Sequence, residues 1–132
     1  MSDTRGNEQR VQGEAMAAVS TALVGLHKEQ FGRGPTSARS YLAGADVLVC
    51  VLEDVLLPAE RKMLALGDHQ RVRESRAAFQ SATATEFIAA VERIVHRKVR
   101  AFASAIDPGT DVVFENFYFE RDASSDGASG SQ

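Results

Sequence analysis

Phe31-Gly32-Arg33-Gly34-Pro35-Thr36-Ser37-Ala38-Arg39, then Val47-Leu48-Val49-Cys50-Val51-Leu52-Glu53, is the stretch that decides the fold. Gly32 and Gly34 supply positive φ at no steric cost, so a helix can stop there and the chain can turn. Pro35 cannot continue a helix and pushes Gly34 out of the α region. Ser37–Ala43 and Asp46–Glu53 then read as two strands, with the turn residues Gly44-Ala45-Asp46 between them. The second strand is apolar on both faces: Val47, Val49 and Val51 on one, Leu48, Cys50 and Leu52 on the other. Such a strand belongs in the middle of a sheet. In the first strand Arg39 and Tyr41 share one face, and Ala38, Ser40 and Leu42 the other.

Upstream, a helix is expected from Glu8. Val11, Ala15, Ala18, Val19, Ala22, Leu23 and Leu26 make one apolar stripe at helical spacing, and His27-Lys28-Glu29 read as polar residues of its last turns. Downstream, Pro58 suits a first helical position, Glu60 the positive end of the dipole and Gly67 a stop, so a short helix is expected. Asp68 is placed to cap a long helix over about residues 70–96, with Val72, Phe79, Ala82, Phe87, Ala90, Val91 and Ile94 as its stripe. Lys98–Ile106 and Val112–Glu120 read as two further strands around the Asp107-Pro108-Gly109-Thr110-Asp111 turn. The expected class is α+β, two-layered, in the order α-ββ-αα-ββ, with a four-stranded, mostly antiparallel sheet and helices on one face. Three segments result: a flexible N-terminus over 1–9, one domain over 10–121, and a polar tail over 122–132 read as disordered. The sheet face left free of helices is expected to carry Tyr41, Phe102 or Phe117. Exposed aromatics there predict a homodimer.

The formal charge is −3, and the ends hold all of it: Asp3, Arg5 and Glu8 before residue 10, Asp122 and Asp126 after residue 121. A neutral body argues against a nonspecific nucleic-acid partner, which needs a basic excess. Cys50 is the single cysteine, so no internal disulfide forms, and a reducing, cytoplasmic setting is expected. Its place among valines makes it a core thiol rather than a nucleophile. No apolar run approaches the ~20 residues of a membrane span, which excludes direct insertion as a helix, and no signal-peptide core is present. His27, His69 and His96 are scattered, without the spacing of a metal site, and no cofactor fingerprint is present.

Three places can carry chemistry. Gly32, Arg33, Gly34 and Pro35, with Arg39 nearby, can form an anion-binding turn from backbone amides and two guanidiniums. Dinucleotide loops run strand, glycines, helix, and here the order is reversed, so a helix stop is the simpler account. Arg71, Arg73 and Arg76 open a helix, where the dipole disfavours cations; Glu60, Glu74 or an external anion must compensate. Glu53 and Asp54 end the central strand, where paired carboxylates can serve acid–base work or simply meet water.

Gly32-Arg33-Gly34-Pro35-Thr36, Ala38-Arg39, the Val49–Glu53 strand, Glu60, the helix with Arg76, Phe79, Phe87, Val91 and Glu92, then Arg97-Lys98-Val99 and Phe102, resemble the MpsC-like family. The similarity covers about residues 10–121. Two positions depart from the family pattern: His96 stands where a glycine is expected, and Leu57-Pro58 replaces a Leu-Thr cap. The resemblance implies a small cytosolic accessory protein, not an enzyme, that serves a sodium-translocating, membrane-potential-generating system. It implies a membrane transport complex as partner, resembling transporters of dissolved inorganic carbon. The alternative from the residues themselves is a small-molecule anion sensor at Gly32–Pro35 and Arg39.

Overall fold

The computed structural model describes residues 2–121; the expectation for the tail over 122–132 lies outside them. The elements are α1 (Ser2–Phe31), β1 (Ser37–Ala43), β2 (Val47–Glu53), α2 (Pro58–Ala65), α3 (His69–Val95), β3 (Val99–Asp107) and β4 (Val112–Phe119). The sheet order is β1-β2-β4-β3, and every neighbouring pair is antiparallel. This is the expected α+β order, and β2 occupies the expected interior position. Both hairpins close as the turn residues require. Ala43 faces Val47 across a bend with Gly44 at φ 74°, and Asp107 faces Val112 across a bend with Asp111 at φ 58°.

Alternation along β2 and β4 decides which face the helices cover. Leu48, Cys50 and Leu52 join Val113, Phe117 and Phe119 in one core with Val19 and Leu23 of α1 and Phe87 and Val91 of α3. Each such side chain contributes ~1.5–3 kcal/mol by leaving water. Burial pushes the Cys50 thiol up to about 11, against the opposing hydrogen bond of Ser40. The free face carries Tyr41, Val49, Val51, Phe114 and Tyr118. Tyr41 is there as expected, but Phe102 and Phe117 are not: both face the helices, with their ring centroids 4.8 Å apart. Parity explains the difference. Phe117 shares its face with Val113 and Phe119, and pairing with β4 puts Phe102 opposite Phe117.

α1 begins at Ser2 rather than Glu8, and residues 4–14 are exposed, so the segment expected to fray continues the helix. A helix of 30 residues spans ~45 Å, whereas seven residues of β1 span ~23 Å. The apolar stripe therefore starts at Met16, and Val11, expected within it, is 63% exposed. Phe79 of α3 is also exposed, although its edge meets Phe31 with centroids 5.2 Å apart.

The two departures from the family pattern have local explanations. His96 is the C-cap of α3 and adopts the left-handed conformation at φ 62°, where glycine carries no Cβ penalty. Leu57 offers no capping side chain, so the Glu60 carboxylate reaches back and accepts the Leu57 N–H at 2.7 Å. His96→Gly is therefore expected to raise stability by about 1 kcal/mol, read from urea unfolding.

At the glycine turn, the positive φ falls on Gly32 (80°), not on Gly34. Gly34 is required for another reason: a Cβ there would meet Val24 Cγ1 at 3.2 Å and the Val24 carbonyl oxygen at 3.4 Å. Val24 is β-branched and stiff within α1, so it yields little. Gly34→Ala is expected to cost about 1–2 kcal/mol by overpacking. Gly109→Ala meets only Asp107 Oδ1, at 3.5 Å, and should be close to neutral in the same denaturation series.

Candidate functional site

The helix-covered face of the sheet is not wholly apolar. On β4 the inward positions are Val113, Glu115, Phe117 and Phe119, so alternation drives a carboxyl into the core, where Glu115 is 3% exposed. On α1, His27 follows Val19 and Leu23 at four-residue intervals and is carried inward with them, to 5% exposure. β3 completes the group, because its pairing sets Ser104 opposite Glu115. The Ser104 hydroxyl donates to Glu115 Oε1. His27 Nε2 stands 3.7 Å from Glu115 Oε2, which is too long for a hydrogen bond.

These residues line a cavity of about 310 Å³ between α1, α3 and the β3–β4 pair. Its walls are largely aromatic. Phe31 stacks on His27 at 5.6 Å, Phe87 meets His27 edge-on at 5.4 Å, and Phe102 stacks on Phe87 at 6.0 Å. Two buried polar atoms among the described residues have no hydrogen-bond partner: His27 Nε2 and Gln30 Oε1. Gln30 spends its amide N–H on Glu86 Oε2 at 3.1 Å, which leaves the carbonyl oxygen free. An unpartnered buried polar atom costs ~1–3 kcal/mol, and folded proteins keep few of them outside functional sites.

Beside the cavity lies a fully satisfied ion pair. Arg76 Nε donates to Glu60 Oε2 at 2.8 Å, and Arg76 Nη2 donates to Glu60 Oε1 at 2.6 Å and to the Val55 carbonyl at 3.0 Å. The guanidinium covers the Phe31 ring at 4.2 Å. Arg76 is thus buried rather than on a solvated basic face, and Glu60 is the compensating anion. Arg71 pairs with Asp68, while Arg73 is exposed at the cavity mouth.

The sequence-predicted site residues are placed elsewhere. The Gly32 N–H is spent on the Lys28 carbonyl at 2.9 Å, which ends α1. Arg33 donates to the Leu56 carbonyl at 2.8 Å and to Asp54 Oδ2 at 3.1 Å. Gly34 packs on Val24, and Pro35 leads to Thr36, whose N–H donates to the Glu53 carbonyl. Arg39 is exposed on edge strand β1, opposite Val51 and on the face away from the core. The turn and Arg39 therefore share no hydrogen bond or ion pair.

Asp54 is likewise committed. Arg33 and Arg61 hold its carboxyl below the usual carboxylate range, the Arg33 hydrogen bond being the largest cause. Asp111 joins the same cluster through Arg61, and its Oδ1 accepts the N–H groups of Val55 and Leu56 at 2.8 and 3.0 Å. The cluster ties the β2–α2 connection to the β3–β4 turn. Glu53 is exposed.

His27, Gln30, Ser104 and Glu115 carried a signal that motif spacing does not reveal. Each is a polar residue at a position that alternation or helical period assigns to the core. Read that way, Glu115 between Val113 and Phe117 marks the site.

A small α+β protein with helices on one sheet face and a polar-ended cavity beneath them is the class that fold and site define. Residues 11–121 match the family described as "Na+-translocating membrane potential-generating system (MpsC)", and the chain belongs to the MpsC family. No curated protein and no solved structure matches the chain.

The acid side of the stability curve tests the Asp54 cluster. Asp54 is depressed in the fold, so its contribution is present above its ordinary value of 3.8 and is lost as pH falls below that value. Asp54→Asn keeps a residue that tolerates the left-handed backbone at φ 62° but removes the charge. The variant is expected to melt below wild type at neutral pH, and the gap should close as pH drops below about 4.

Proposed function

We propose that this protein is a non-catalytic accessory subunit of a sodium-translocating, membrane-potential-generating system, acting from the cytosol as a homodimer. The observation that carries the reading is the uncovered sheet face. Tyr41 and Phe114 are 50% and 39% exposed there, Val49 and Val51 lie between them, and Tyr118 shares the face opposite Val47. A face of valines and aromatics on the two central strands is costly to leave in water. A second copy covers it by a two-fold self-complementary contact, with the two sheets face to face.

Membership of the MpsC family supports the tie to a membrane system. No helix among the described residues is long and apolar enough to cross a membrane. The lone buried thiol fits a reducing compartment. The alternative, an anion sensor at Gly32–Pro35 and Arg39, draws less support, because Arg33 and the Gly32 N–H already have partners within the chain.

Val51 and Phe114 face each other across β2 and β4 on the open side. The wild-type chain is expected to sediment as a dimer at micromolar concentration and to co-purify in detergent with the membrane subunits of its system. Val51→Lys with Phe114→Lys should give a monomer whose melting temperature stays within a few degrees. A wild-type monomer mass overturns the dimer, and a failure to co-purify overturns the accessory role.

A further inference from the structure

The cavity beneath the helices lies on the opposite side of the sheet from the open face on which the accessory reading rests. Its volume of about 310 Å³ lies at the small end of the ~300–1,000 Å³ common for small-molecule sites. Its lining presents hydrogen-bond acceptors that the protein leaves unused. Gln30 Oε1 is buried without a donor. Glu115 Oε2 has no donor within hydrogen-bond distance, since the Ser104 hydroxyl serves the other oxygen and His27 Nε2 is 3.7 Å away. Glu115, held at 3% exposure, has no lysine or arginine partner, and the only cationic side chain within ion-pair range is His27, whose Nε2 stands beyond hydrogen-bond reach at 3.7 Å; a buried carboxyl so thinly partnered is costly. Arg76, the nearest buried cation along the wall, is fully committed to Glu60 and the Val55 carbonyl.

We infer that the cavity binds a small organic cation: a protonated amine or amidine carried on a flat, apolar body. The charged head supplies the N–H donors that Glu115 Oε2, Gln30 Oε1 and the free His27 Nε2 lack, and it neutralises the buried carboxylate. The body lies along the aromatic wall of Phe31, Phe87 and Phe102, which favours flat apolar surface. Arg73 at the mouth is exposed and screened by water, so it opposes entry only weakly.

The full chain is titrated with benzamidine and with two molecules of the same shape, neutral benzamide and anionic benzoate. Calorimetry gives the affinities, and amide NMR shifts locate the binding. Benzamidine should bind saturably, with shifts centred on His27, Phe31, Ser104 and Glu115, and about tenfold or more tighter than either analogue. Glu115→Gln keeps the side chain's size and should lose that preference. Ala77→Trp fills the cavity from an exposed position on its wall; it should abolish binding while the melting curve stays close to wild type. Benzamidine without saturable shifts at these residues overturns the proposal, as does equal or tighter binding of benzamide or benzoate. Wild-type affinity in a folded Ala77→Trp variant overturns it too.

Discussion

The fold depends most on the Arg76–Glu60 pair. It is bidentate, buried on both sides, and reaches four parts of the chain at once: α3 through Arg76, α2 through Glu60, the strand exit through the Val55 carbonyl, and the end of α1 through Phe31. Glu60 has a second duty as the acceptor for the Leu57 N–H, so the same carboxylate starts α2 and anchors α3. A buried pair gives little net stability over an apolar replacement, but removing one partner strands the other charge at ~3–5 kcal/mol. What the pair supplies is position. It fixes where the two helices after β2 lie, and hence where α3 directs Phe87 and Val91 into the core.

Strand-level organisation was readable from side-chain period, because each element has a buried face that only one period satisfies. Val47–Glu53, apolar on both sides, had to be central, and it pairs with β1 and β4. The Gly32 stop, Pro58 and Asp68 mark element ends through backbone chemistry that acts locally. Strand register between distant segments is not local. Nothing within β3 alone says that Phe102 lies opposite Phe117, and so the aromatic content of the open face was misjudged. The overhang of α1 has the same origin: helix propensity continues to Ser2, but the sheet that would bury its stripe ends sooner.

The site was harder to read than the fold, for a physical reason. Its members are His27 and Gln30 from α1, Ser104 from β3 and Glu115 from β4, so the helix and the hairpin are far apart in the chain, and none belongs to a motif with fixed spacing. The sequence groups Arg76 with Arg71 and Arg73 as one basic cluster at a helix start, yet helical period places it alone of the three with Val72 on the buried side. Gly32, Arg33 and Gly34 admit two readings, an anion turn and the simpler helix stop, because glycines beside arginine suit both. The structure spends the Gly32 N–H on ending a helix and the Arg33 guanidinium on holding the β2–α2 connection.

The two sides of the sheet invert the usual division. Helix-covered faces are normally dry and apolar, and open faces polar. Here the covered side holds His27, Gln30, Ser104 and Glu115, while the open side presents Val49, Val51, Phe114 and Tyr118. Polar groups in a core and apolar groups in water both cost stability, and a chain retains such conflicts where something outside the monomer resolves them. The two inversions also share a strand. Glu115 points into the cavity from β4, and Phe114 and Asn116 stand on the other face at its neighbours.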